Sequence, residues 1–221
     1  MTFGAIRTAA ALLLLAGCVQ ASAEPRLHPA RDVVVTYTVD GPATALAPGG
    51  IPGSVRLSWD AALQRVRAEA EGRSQVALID LRAHAGQAID TDLRIALPLK
   101  LRPADLQMLT LDGARLTPGG TQRVAGLSCT DFTFESKQGP GLVCLTADGV
   151  PLRGQGTVQG KPGSFTAQTV RYGALPPSLF EVPPGYMSLA TPGGQAGALA
   201  GLAAKLGGTG GLGALLGRMP K

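Results

Sequence analysis

Hydrophobic and polar residues alternate with period two along much of the chain beyond residue 30. That spacing belongs to strands with one covered and one wet face, the habit of antiparallel sheets. In Val33–Val39, Val33, Val35, Tyr37 and Val39 share one face, while Thr36 and Thr38 share the other. Ser54–Trp59 sets Val55, Leu57 and Trp59 opposite Arg56 and Ser58, and Gln64–Glu71 sets Val66, Ala68 and Ala70 opposite charged residues. The cleanest alternation is Ile89–Leu97, read as one strand with Ile89, Thr91, Leu93, Ile95 and Leu97 inward and Asp90, Asp92 and Arg94 outward.

Turn residues punctuate these runs at Gly72-Arg73, His84–Gly86, Gly119-Gly120, Gly139–Gly141, Asp148-Gly149 and Pro162-Gly163. Asp148-Gly149 is the strongest hairpin signal among them. A strand about every ten residues predicts a sandwich, barrel or curved sheet. Helix is confined to Pro103–Leu109, with Pro103 in its first turn, and to one turn at Pro177–Glu181. The fold class is therefore mainly β, an antiparallel sheet with one or two short helices.

Composition agrees with many tight turns: the 221 residues include 31 glycines and 17 prolines. The length suits a single domain. The net charge of +5 is dispersed, with no basic run interleaved with aromatics, which argues against nucleic acid as a partner. No apolar run reaches the roughly 18 residues of a membrane-spanning helix.

The N-terminus has its own pattern. Arg7 precedes the apolar stretch Ala9–Ala16, and small residues follow at once, as in a secretory signal. Two processing routes stay open. Leu15-Ala16-Gly17-Cys18 resembles a bacterial lipobox, which would acylate Cys18 and remove residues 1–17. Ala21-Ser22-Ala23 is an A-x-A site that would remove residues 1–23. Acylation would attach the protein to a membrane through Cys18, since each buried CH₂ contributes about 0.8 kcal/mol. Val19 is not the aspartate of inner-membrane retention, so the expected location is the periplasm or the outer membrane of a Gram-negative envelope. Residues 24–190 make the β domain. Residues 191–221 are a Gly/Ala/Leu-rich tail without the variety to build a core, expected to be disordered.

On either route Cys129 and Cys144 are the remaining thiols, and in an oxidising compartment two such residues bridge. Two cysteines without a nearby histidine make a poor zinc cage. If they faced each other in a hairpin, the turn would centre on Ser136-Lys137. The glycines at 139 and 141 come later, so a bulge or register offset is required.

No active site emerges. His28 and His84 are far apart and read as surface or loop residues. Gly126–Thr130 misses the G-x-S-x-G elbow at its last residue. Gly156–Lys161 has the wrong spacing for a P-loop, and Gly208, Gly210 and Gly213 fall in a glycine-saturated tail. Asp90, Asp92 and Arg94 read as a solvated charged stripe. No catalytic residue, metal site or cofactor is assigned.

Three sequence words carry a resemblance: Gly126–Phe132 (GLSCTDF), the run Cys144–Arg153 (CLTADGVPLR), and Leu179–Tyr186 (LFEVPPGY). The spacings V-x-G-x-x-C, C-x-T-x-D-G-V-P-L-R and F-x-x-P-x-G-Y resemble those of an uncharacterised family of bacterial envelope proteins. That family is similar in architecture to the LolA/LolB lipoprotein carriers. The resemblance spans about Val33–Tyr186 and implies a strongly curved antiparallel sheet, a half-barrel whose mouth is plugged by helices. No acyl-binding residue of the carriers matches a position here. A half-barrel would have an apolar concave face, for which Leu57, Trp59, Leu93, Ile95, Phe132 and Phe134 are the candidates. Two functions fit: a non-enzymatic binder of a lipid or acyl chain, or a structural or interaction lipoprotein with a filled barrel and no ligand. An envelope hydrolase is the least supported.

Overall fold

The computed structural model describes residues 24–41, 53–99, 101, 110–111, 113–136, 139–158 and 161–188. Residues 1–23 with Cys18, the expected helix at Pro103–Leu109, and the Gly/Ala/Leu-rich residues 191–221 lie outside the described residues.

The described chain is one open, twelve-stranded sheet. Its strands are β1 (Val33–Asp40), β2 (Gly53–Asp60), β3 (Arg65–Ala70), β4 (Gln75–Asp80), β5 (Ala85–Asp90), β6 (Ile95–Leu99), β7 (Arg115–Val124), β8 (Leu127–Ser136), β9 (Gly139–Leu145), β10 (Pro151–Val158), β11 (Lys161–Tyr172) and β12 (Met187–Ser188). The order β12-β6-β5-β4-β3-β2-β1-β11-β10-β9-β8-β7 describes two meanders joined where β1 meets β11. Neighbours are antiparallel except β12, which lies parallel to β6. A 3-10 turn at Pro177–Phe180 occupies the predicted place.

The sheet is strongly curved, and one contact pair demonstrates it. Leu27 and His28 are sequence neighbours with Cα atoms about 3.8 Å apart. Leu27 packs against the Phe132–Val143–Leu145 cluster of β8 and β9, while His28 stacks on Trp59 of β2. On a flat sheet β2 and β9 would stand four strand spacings apart, about 19 Å. A dipeptide bridges them because the sheet curls into a half-barrel. Register shifts between Thr36 and Tyr37, between Pro118 and Thr121, and between Pro151 and Arg153 supply local bends. Tyr37 reaches over β11 to donate its hydroxyl proton to the Pro151 carbonyl at 2.8 Å. Burial pushes the Tyr37 phenol far up, aided by the Tyr172 charge, so the group stays a neutral donor.

Several sequence expectations are corrected. Ile89–Leu97 is not one strand but the end of β5, a turn at 91–94, and β6. The Asp90 carboxylate accepts from the backbone N–H groups of Asp92 and Leu93 at 3.0 and 2.9 Å, and Arg94 adopts φ 56°. Asp60 and Asp80 cap the 61–64 and 81–84 turns likewise, from Leu63 at 2.9 Å and Ala83 at 2.8 Å, with positive φ at Gln64 and His84. Each turn is therefore a four-residue loop closed by an aspartate and a left-handed residue. Leucine or alanine within such a loop keeps the period-two pattern running through it, which hides the break.

Four glycine signals expected at turns have their glycines inside strands: Gly86 in β5, Gly119-Gly120 at the β7 bulge, Gly139–Gly141 in β9, and Pro162-Gly163 in β11. Two of the chain's glycines serve close ring packing. A Cβ at Gly141 would strike the ring of Phe134 on β8, and one at Gly154 the ring of Phe165 on β11. Gly154→Ala is expected to lower stability by about 1–3 kcal/mol through overpacking. Chemical denaturation would read it, and an unchanged midpoint would show that the Phe165 ring is free to move.

Candidate functional site

The ladder registers decide which side chains share a face. Leu57 faces Val35 and Ala68, and Trp59 faces Val33 and Val66. Phe132 faces Val143, Phe134 faces Gly141, and Ile95 faces Asp90 on β5. Following the registers across the sheet places Leu57, Trp59, Ile95, Phe132 and Phe134 on one side. Leu93 lies in the 91–94 turn and leaves this set. The shared face is covered: Trp59 is 8% exposed and Phe132 9%. Leu57 and Phe134 are partly buried and pack against the core.

Part of that cover is residues 24–32, an irregular segment ahead of β1. The His28 ring lies on Trp59 with centroids 5.7 Å apart and planes 25° from parallel. Pro29 is buried. The Trp59 indole N–H is buried and has no hydrogen-bond partner among the described residues. Leaving such a donor unmet costs about 1–3 kcal/mol, so an acceptor brought to the covered face would find a group ready to bind it.

The segment is tied down at the β9–β10 turn. The Ala30 N–H donates to the Asp148 carbonyl at 2.8 Å, and the Arg31 guanidinium to the Asp148 carboxylate at 2.9 Å. Arg31 also stacks over the Tyr172 ring at 4.1 Å. The other carboxylate oxygen accepts from the Thr146 hydroxyl at 2.6 Å and the Tyr172 hydroxyl at 3.1 Å. Thr146 in turn accepts from the Val150 N–H at 2.9 Å. Gly149 has φ 87°, and a Cβ there would collide with the His28 carbonyl. Asp32 continues the anchorage, accepting from Ala61 N–H at 3.0 Å and Leu175 N–H at 3.1 Å. An open hollow beside these groups is lined by Arg31, Asp32, Tyr172, Gly173 and Ala174.

Burial alone would raise the Asp148 carboxyl, but hydrogen bonds from Thr146, Arg31 and Tyr172 outweigh it and hold the group below its ordinary value. A depressed carboxyl stabilises the fold above its unfolded value of about 4 and loses that contribution as pH falls through the native one. Asp148→Asn is thus expected to cost about 1–2 kcal/mol at pH 7 and to flatten the acid limb of the stability profile. Equal losses at pH 7 and pH 3 in urea titrations would count against it.

Cys129 and Cys144 form the predicted disulfide, with Cα atoms 5.4 Å apart. Cys144 faces Asp131 rather than Cys129, so the bond runs diagonally between β8 and β9, the offset the turn position required. Both sulfurs lie on the side of the sheet opposite Phe132 and Phe134.

The remaining expectations resolve locally. His84 and Asp92 are exposed turn residues, and Asp90 is a turn cap. Ser128 is exposed beside the Ala125-Gly126 turn. Among the described residues no three potential metal ligands converge.

No family model matches the chain, and no curated protein matches it. Solved structures do. An uncharacterized conserved protein from Thermus thermophilus overlays at TM-score 0.51 and 12% identity, over 72% of this chain and 90% of that one. The shared fold is all that likeness conveys. The Pseudomonas aeruginosa MucA/MucB complex matches at TM-score 0.43 and 15% identity, over 69% of this chain and 56% of that one. A LolA superfamily protein from Nitrosomonas europaea gives 0.34 and 9%, over 72% and 93%. At those scores neither of the latter two carries weight for function.

The sequence pattern does not mark Leu27, Arg31, Asp148 and Tyr172 as site residues, and it reads His28, which stacks on Trp59, only as a surface or loop residue. Asp148 was readable as a turn former, while the others are single residues outside any pattern.

The three resemblance words acquire physical content. C-x-T-x-D-G-V-P-L-R is the turn that holds residues 24–32. V-x-G-x-x-C is the tight β7–β8 turn leading into the disulfide. F-x-x-P-x-G-Y runs over the opposite side of the sheet, where Val182 and Tyr186 pack on Val76, Leu78, Ile89 and Ala96. Arg67 fixes that segment by donating to the Leu179 carbonyl at 3.1 Å.

Proposed function

We propose that this is a non-enzymatic protein of the bacterial cell envelope that binds a lipid or other hydrophobic ligand on the concave face of its half-barrel. The observation that supports the reading is that Leu57, Trp59, Ile95, Phe132 and Phe134 share one side of a strongly curved sheet. Sheltering an alkyl chain there gains about 0.8 kcal/mol per buried CH₂. Export is supported by the signal-like residues 1–23 and by a disulfide, which persists in oxidising compartments. Acylation at Cys18 would hold the site at a membrane surface, whereas cleavage after Ala23 would release it.

A second reading is favoured by the burial of Trp59 and Phe132 and by the His28 stack: a filled barrel serving a structural or interaction role. Mass spectrometry of the protein purified gently from its native envelope separates the two. Co-purifying lipid that is lost on delipidation supports the carrier. A protein free of lipid from the outset supports the filled barrel. The same spectrum distinguishes an acylated Cys18 from a mature Glu24.

A further inference from the structure

We infer, on the hydrophobic-ligand reading above, that residues 24–32 are a built-in competitor for the site, and that the ligand is an acyl amphiphile bearing a hydrogen-bond acceptor. Leu27 and His28 lie on the groups that a ligand would need. Leu27 packs against the Phe132 cluster, and His28 covers Trp59. A bound alkyl chain would take the place of Leu27.

The unpartnered Trp59 N–H identifies the polar end of the ligand. A carboxylate or ester oxygen of a fatty acid or lipid can accept that proton, and a hydrocarbon cannot. The segment's attachment suits displacement. It forms no strand, and Ala30 and Arg31 tie it to the Asp148 turn. Arg31 is exposed, so this tie is within reach of solvent.

The apparent affinity of a site closed by its own chain is the intrinsic affinity scaled by the fraction open. Calorimetric titration of the purified protein with oleate tests this. The Leu27→Ala, His28→Ala double variant is expected to bind oleate about tenfold tighter than the wild type. Arg31→Ala, which loosens the tie without touching the apolar face, should shift binding in the same direction. Trp59→Phe should weaken oleate binding several-fold while keeping the ring. Wild-type binding with unchanged or weaker binding in both the Leu27→Ala, His28→Ala double variant and Arg31→Ala would overturn the competitor and leave the ligand site standing. Unaltered binding in Trp59→Phe would overturn the assigned acceptor. Absence of oleate binding in every form would overturn the hydrophobic-ligand reading along with both.

Discussion

Trp59→Ala is expected to destabilise the protein by about 3–5 kcal/mol, the usual cost of emptying a large aromatic site in a core. For a domain of this size that lowers the melting midpoint by about 6–20 °C. Trp59 belongs to the largest core cluster with Val33, Val66 and Ile79, and His28 stacks on its ring. Truncation therefore opens a cavity and removes the surface on which residues 24–32 rest. Circular dichroism is the suitable measurement, because Trp59 is the chain's single tryptophan and fluorescence is lost with it. Trp59→Phe should recover most of the loss. A drop under about 1 kcal/mol in the alanine variant would mean that the ring packs loosely and that its burial is incidental.

Removing the disulfide is the second large perturbation. Replacing both Cys129 and Cys144 by alanine is expected to cost about 3 kcal/mol, or about 6–12 °C, by the loop-entropy relation for a closed loop of this length. Alanine is the better replacement, since Cys144 is fully buried and Cys129 is 2% exposed. Serine would bury two hydroxyls. The bond staples β8 to β9 behind Phe132 and Phe134, so its loss should also loosen that end of the apolar face. Wild-type protein melted with reductant should match the double variant. A wild-type melt that ignores reductant, together with two titratable thiols after unfolding, would show that the bond does not form.

Alternation was a sound guide where a strand ends with its hydrophobic pattern. Val33–Val39, Ser54–Trp59 and Val66–Ala70 sit on the faces that their period assigns. It misled where a turn kept the pattern alive. Asp90-Thr91-Asp92-Leu93-Arg94 continues the alternation of β5 into β6, although the chain reverses within it. The aspartates at 60, 80 and 90 are the local cue, each followed three residues later by the backbone N–H that it caps. Glycine misled in the other direction. At 141 and 154 it makes room for a phenylalanine ring on the next strand, a need invisible without knowing which strand is next.

The candidate site divides in the same way. Leu57, Trp59, Ile95, Phe132 and Phe134 could be nominated from local pattern because facing inward is a property of each strand alone. Leu27, Arg31, Asp148 and Tyr172 could not. Their contacts span more than a hundred residues, as Arg31 with Asp148 does, and no periodicity couples positions so far apart.

By itself, then, the sequence determined a β protein with a signal-like start, a bridged pair of cysteines, and a set of inward-facing apolar residues. These follow from local rules: side-chain period, turn chemistry and thiol redox. Tertiary structure alone decided that β1 joins β11, that the sheet curls enough for Leu27 and His28 to touch both limbs, and that the Asp148 turn holds that segment over Trp59. Those outcomes depend on long-range register and on the accumulated bend of many strands, quantities that no short stretch of chain contains.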